Sequence, residues 1–161
     1  MSGIDGLHVT DQELAAYHEA GHAVLACLTG VRFRLVTLAS IMGSQGFVAF
    51  LSTDNPSPEY ITVLFAGLLA EKRRLGADWV LERSLCKDDI GRAERLVASA
   101  PDAKRAMAAR YARAEDEIRS PRTWAAVTAV AESLLARGVI YEDRVRELVN
   151  AAMIAEQELG T

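Results

Sequence analysis

His18, Glu19 and His22 sit in the run His18-Glu19-Ala20-Gly21-His22. Residues four apart in a helix share one face about one turn apart, so the two imidazoles can reach one ion. Neutral imidazole nitrogens are zinc ligands, bonding at roughly 2.0–2.1 Å. Glu19 follows His18 by about 100° of helix rotation, which sets it beside such an ion and not on it. From there it can take a proton from a zinc-bound water, whose pKa the metal lowers towards about 7. Two neutral imidazoles leave the ion's charge uncompensated, so a carboxylate is the natural third ligand, with a fourth position open to water. The same spacing also suits an ordinary pair of hydrogen-bonded surface histidines. The neighbours of the run are apolar, however: Leu14, Ala15, Ala16, Ala20, Ala23, Val24, Leu25 and Ala26. A helix of that composition must pack, which disfavours an idle exposed pair and favours a metal site.

The elements that position the run can be read from local signals. Thr10-Asp11-Gln12-Glu13 is a capping box, with the Thr10 hydroxyl serving the Glu13 amide and Glu13 reaching back. The helix it opens is predicted to run to about Leu28 and to end at Thr29-Gly30. Polar and apolar residues alternate over 32–38, a strand pattern. A turn at 43–46 and the apolar residues 47–51 complete a hairpin. Ser57 and Pro58 start a second helix that runs to about Leu75, with Gly76 ending it. Its last turn carries Lys72-Arg73-Arg74, which reads as a solvated basic helix end that complements the helix dipole. Further helices are expected over 87–99, after Pro101, after Ser120-Pro121 with Gly138 as its stop, and over 141–157. The last carries Val145, Leu148, Val149 and Met153 on one stripe. Residues 1–9 read as a flexible lead-in. The expected fold is mainly α with a small β-hairpin, an α+β arrangement in a single domain spanning 1–161.

Composition narrows the function. The chain has 161 residues, 50% hydrophobic and 25% charged, as expected of one globular domain. A net charge of -4 gives no electrostatic reason to bind nucleic acid or an anionic membrane surface. Cys27 and Cys86 are too few for a disulfide framework. No apolar run reaches the roughly 18–20 residues that cross a bilayer, and the first residues lack the pattern of a signal peptide. The expected location is the cytoplasm.

Three segments resemble the peptidase domain of the FtsH family, the membrane-bound AAA+ zinc proteases. The segment from Ala16 to Val24 resembles that family's HEAGH helix. Leu64-Phe65-Ala66-Gly67-Leu68-Leu69-Ala70-Glu71 is similar to its Gly-Gly-Arg-x-Ala-Glu helix. Asp88-Asp89-Ile90-Gly91-Arg92-Ala93 is similar to its Asn-Asp-Leu/Ile-x-x-Ala segment. The resemblance follows the family's order across residues 17–96 and weakly into 124–148. It implies an FtsH-peptidase-like fold, one zinc ion per chain bound by His18, His22 and Asp89, Glu19 as general base, and hydrolysis of peptide bonds. Without the resemblance Asp89 would read as a helix-capping residue. Glu71 is the rival third ligand, or a carboxylate that orients a ligating histidine through its other nitrogen. Gly46-Phe47 resembles the family's strand beside the active site, so the 47–51 strand reads equally as sheet core or as an edge for an extended peptide.

The chain departs from the family in having no ATPase domain, no phosphate loop and no membrane segment. The expected substrates are therefore peptides or unfolded segments, with a homo-oligomer or a separate ATPase partner left open. The residues from Glu82 to Lys87 lack the family's small Gly-Ala turn, and Cys86 lies three residues before Asp89, where a thiol could close the metal site. Cys27, about 180° round the helix from His18, belongs to the core. The alternative to an active peptidase is an inactive interaction module that keeps the metal site. A third reading is zinc-assisted hydrolysis of another substrate class.

Overall fold

The computed structural model describes residues 9–40, 45–51 and 56–159. Most of the expected lead-in with His8, most of the hairpin turn, and Asn55 lie outside the described residues.

Helix α1 (Asp11–Thr29) starts where Thr10 caps it, its hydroxyl accepting from the Glu13 amide at 3.1 Å. The reciprocal half of the box is replaced: Glu13 turns its carboxylate to Arg74, 61 positions on. Gly30 ends the helix with φ 79°, the left-handed conformation that glycine adopts without strain. Every residue from Leu14 to Ala26 is buried. A helix enclosed on all sides needs small apolar residues all round and not a single stripe, and α1 has them.

Three elements wrap α1. Helix α2 (Pro58–Leu75) packs along it most extensively, followed by α5 (Pro121–Arg137). At Gly21 a Cβ would stand 2.6 Å from the Ala66 carbonyl oxygen and 2.8 Å from Ala70 Cβ, so only glycine permits this approach of α1 to α2. The sheet forms the third contact. Strand β1 (Phe33–Thr37) pairs antiparallel with β2 (Phe47–Phe50), placing Val36 opposite Val48, and the register shifts between Phe33 and Val36. A third strand, β3 (Val139–Tyr141), pairs antiparallel with the other edge of β1, so the order is β2-β1-β3. Sequence reading missed β3 and placed Tyr141 in the last helix, because three residues between a helix stop and a helix start carry little pattern. Ile140 alone of the three is buried.

Helix α3 (Lys87–Val97) and helix α4 (Ala103–Arg119) cover the far side of α2, and α6 (Glu142–Leu159) closes over α5 and β1. Asp102 caps α4 by accepting from the Arg105 amide. Val145 and Val149 of the expected stripe are buried, while Leu148 and Met153 pack against the core from its margin. The fold is thus mainly helical with a small antiparallel sheet. Among the described residues no helix is long and apolar enough to cross a membrane.

The basic run at the end of α2 is exposed at Arg73 and partly buried at Lys72 and Arg74, and it also packs on aromatic rings. Lys72 lies 4.8 Å from the centre of the Trp79 ring, Arg73 4.7 Å over Trp124 and Arg74 5.3 Å over Tyr17. Three consecutive cations thus brace α2 against aromatic rings of three different segments.

Candidate metal centre

Helix α1 directs His18, Glu19 and His22 towards a cleft of about 400 Å³ between α1, β2, α2 and the start of α3. All three side chains are buried: His18 and His22 are each 3% exposed and Glu19 6%. Asp89, in the first turn of α3, enters from the opposite wall. Its Oδ2 lies 3.1 Å from His18 Nε2 and 3.2 Å from His22 Nε2, and the two Nε2 atoms are 3.0 Å apart. Residues from two helices, 67 and 71 positions apart in sequence, so bring three ligand atoms to one point.

The ring orientations are fixed from behind. His18 Nδ1 donates to Glu71 Oε1 at 2.7 Å, and His22 Nδ1 donates to the Val63 carbonyl at 2.8 Å. With both Nδ1 protons committed, each neutral ring turns the lone pair of Nε2 into the cleft. With both rings neutral, two imidazole lone pairs and a carboxylate oxygen would face each other and a metal ion could satisfy all three; with a ring protonated, its Nε2–H donates to Asp89 instead. The separations of 3.0–3.2 Å are slightly shorter than the roughly 3.3–3.4 Å edges of a coordination tetrahedron with bonds of roughly 2.0–2.1 Å, so a small spreading of the three groups would admit an ion. The donor set of two nitrogens and one carboxylate oxygen fits zinc and leaves one corner unassigned among the described residues.

Electrostatics agree with this reading. Burial disfavours the charged form of His18, but hydrogen bonds to Asp89 and Glu71 and the charges of Glu19 and Asp89 outweigh it and push the imidazole up to about 10. His22 is raised too, because the charge of Asp89 and its hydrogen bond outweigh burial. Asp89 itself is held below the usual carboxylate range: burial pushes it up, but the charge of His22 and the hydrogen bonds to both histidines pull it down further. The cluster thus favours positive charge at this point, which protons or a metal ion could carry. Glu19 moves the other way, its carboxyl raised chiefly by burial, which makes it a better proton acceptor near neutral pH than an exposed glutamate.

Glu71, the rival third ligand, is not one of the converging groups. It is fully buried and stands behind His18, away from the point where the three ligand atoms meet. Its Oε1 accepts from His18 Nδ1 and from the Leu85 amide at 2.9 Å. Its Oε2 accepts from Ser84 Oγ at 2.6 Å and Trp79 Nε1 at 3.1 Å. Burial pushes its carboxyl up, but His18, Ser84 and the Leu85 amide outweigh that and hold it below the ordinary value, so it remains charged. These bonds also shape the 82–87 loop that lacks the small Gly-Ala turn: Ser84 and Leu85 are pinned to Glu71. Cys86 is buried at the start of α3 and is not one of the converging groups, and Cys27 is half-buried beside the core.

Two glycines make room for the cluster. A Cβ on Gly67 would stand 2.5 Å from His22 Nε2 and 2.6 Å from His18 Cε1, so α2 lies flat against both rings. Gly46, at φ 121°, would place a Cβ 2.8 Å from the Thr37 carbonyl and 3.1 Å from Glu19 Cγ. Strand β2 follows at once. It is an edge strand in the β2-β1-β3 order, and Phe47, Val48 and Phe50 line the cleft.

Sequence reading did not find Ser84, Trp79, the Val63 carbonyl, Tyr60 or Arg92, all of which touch the site or line it. Gly67 left one signal, since a glycine in a helix interior costs about 1 kcal/mol against alanine and implies a close approach. The others have no local signature. Neither protein-family profiles nor curated proteins match this chain.

Proposed function

We propose that this chain is a zinc metallopeptidase of the FtsH-peptidase type, hydrolysing peptide bonds in peptides or unfolded segments. One observation carries the reading: His18 Nε2, His22 Nε2 and Asp89 Oδ2 meet within 3.0–3.2 Å, with both Nδ1 protons committed elsewhere. The resemblance of residues 17–96 to the FtsH peptidase supports it, and so does Glu19 in the same cleft. When bound by these three residues, zinc supplies the Lewis-acid charge that lowers the pKa of water and polarises a carbonyl. Glu19 acts as general base, accepting a proton from the attacking water on its carboxylate and returning it to the leaving amine. Burial, which raises its carboxyl, suits it to both halves of that exchange. Glu71 positions His18, and the Val63 carbonyl positions His22.

Substrate binding falls to β2. Its outer edge beside Glu19, unpaired among the described residues, offers backbone groups to an extended peptide, which would lie as an added strand across the cleft. Both cysteines are free, which suits the reducing cytoplasm.

Turnover of unfolded casein by zinc-loaded protein tests the reading. Wild type is expected to cleave it, and Glu19→Gln to lose roughly 10²–10⁴-fold in rate while keeping its metal. Activity that survives Glu19→Gln removes Glu19 as the base. Full zinc occupancy without turnover of any peptide leaves the inactive interaction module as the better account.

A further inference from the structure

Among the described residues, the wall of the cleft carries a single lysine or arginine, Arg92. It stands three residues after Asp89 on α3, so the two are neighbours on one helix face, about 4.5 Å apart along the axis. Asp88 lies one turn before Arg92, the usual spacing for an aspartate–arginine pair, yet no ion pair joins them. The guanidinium instead lies over the Tyr60 ring, 5.3 Å from its centre. No carboxylate of the described residues is bonded to it, and its donors stay available.

Tyr60 adds a second observation. The residue is 2% exposed, its ring is fixed edge-on against Phe50 at 5.1 Å, and its Oη is a buried oxygen without a hydrogen-bond partner among the described residues. A buried hydroxyl in that state is unfavourable unless something supplies an acceptor. One patch of the cleft thus holds an unspent guanidinium fork and an unspent phenol donor. The wall also holds the acidic Glu19, Asp88 and Asp89 and, at the metal cluster, His18 and His22. Away from that cluster, Arg92 is the place among the described lining residues where an anionic group is attracted.

We propose that Arg92, supported by Tyr60, is a specificity residue that binds a carboxylate of the substrate near the scissile bond. This rests on the peptidase reading of the site and names its substrate class, peptides with an acidic group close to the cleaved bond. Arg92 and Asp89 share one face of α3 and line the same cleft, so a carboxylate held by Arg92 would belong to a residue near the cleaved bond. A carboxylate fits both donors, accepting two parallel N–H bonds from the guanidinium and an O–H bond from the phenol. The carboxylate can come from an Asp or Glu side chain or from the peptide's own C-terminus.

The test is binding of short labelled peptides to the full Glu19→Gln chain, loaded with zinc, by fluorescence anisotropy. Glu is compared with Gln at each position in turn, and a free C-terminus with an amidated one. A Glu peptide is expected to bind about tenfold more tightly than its Gln counterpart at one or two adjacent positions. Preference for the free C-terminus alone would assign the carboxylate to the chain end. Adding Arg92→Ala should abolish the ratio, Arg92→Lys should keep part of it, and Arg92→Glu should turn it towards Lys peptides. Equal binding of Glu and Gln peptides everywhere, or no peptide binding at all, overturns the inference. With wild type, casein cleavage without acidic preference overturns this inference and leaves the peptidase reading standing. Acidic preference without any cleavage does the reverse. If Arg92→Ala slows kcat equally for acidic and neutral peptides with KM unchanged, Arg92 serves the reaction itself and not substrate choice.

Discussion

At the residue scale, function depends on which atoms of His18, His22 and Asp89 face one another, and that is decided by groups behind them. Glu71 accepts the Nδ1 proton of His18 and also satisfies Ser84, Trp79 and the Leu85 amide. Replacing it with glutamine puts an amide N–H₂ against donors, and Trp79 Nε1 cannot accept from it. Glu71→Gln is therefore expected to weaken zinc binding about 10–100-fold, read by competition with a chelating dye. An unchanged affinity would mean that His18 is oriented by packing alone. The His-Glu-His part of this arrangement was legible in the sequence because one helix turn sets its geometry. Asp89 was reached only through resemblance, since a carboxylate in the first turn of a helix looks like any cap. The support of Glu71 by Trp79 and Ser84 was not legible, because it depends on how a loop returns to α2.

At the scale of elements, the close seam between α1 and α2 builds the site, and Gly21 and Gly67 test two parts of it. Gly21→Ala forces a Cβ to within 2.6 Å of a backbone oxygen, so the helices must part at an expected cost of about 1–3 kcal/mol, measurable by urea unfolding. Gly67→Ala collides with the two imidazoles instead. It is expected to reduce zinc affinity by more than tenfold, beyond any effect of Gly21→Ala, as a zinc titration of both variants would show. Equal affinities would place the seam outside the control of the metal site. Helix starts and stops were readable from Thr10, Pro58, Pro121, Gly30 and Gly138, because capping chemistry is local. The bracing of Lys72, Arg73 and Arg74 by Trp79, Trp124 and Tyr17 was not, because those rings come from other segments. Nor was β3, which exists only because β1 offers it an edge.

At the scale of the whole molecule, buried carboxylates link stability to pH. Glu142 opens α6 and holds Arg32, just before β1, by three hydrogen bonds of 2.8, 3.1 and 3.2 Å, with Arg146 on the same carboxylate at 2.7 Å. Burial raises its carboxyl, but Arg32 and Arg146 outweigh that and hold it below the ordinary value. A group depressed in the folded state stabilises above its unfolded pKa of about 4.3 and loses that contribution as pH falls through the folded value. Thermal melts of metal-free Glu142→Gln should thus lie below wild type at about pH 6–7, the gap narrowing as the pH approaches about 3. A gap that persists at acid pH would show that shape and not charge holds α6 to β1.

A metal held by His18, His22 and Asp89 would bear on the whole molecule too, because it would tie α1 to α3. Zinc at about 100 times its dissociation constant should add about 2.7 kcal/mol, raising the melting temperature by about 5–10 °C.

The central claim is that three side chains from two helices form one metal site, and metal analysis of protein purified without a tag tests it most directly. About one zinc per chain is expected in wild type, falling to nearly none in Asp89→Ala and in His18→Ala. Less than about a third of an ion per chain in wild type offered ample zinc, or full occupancy in Asp89→Ala, would contradict it.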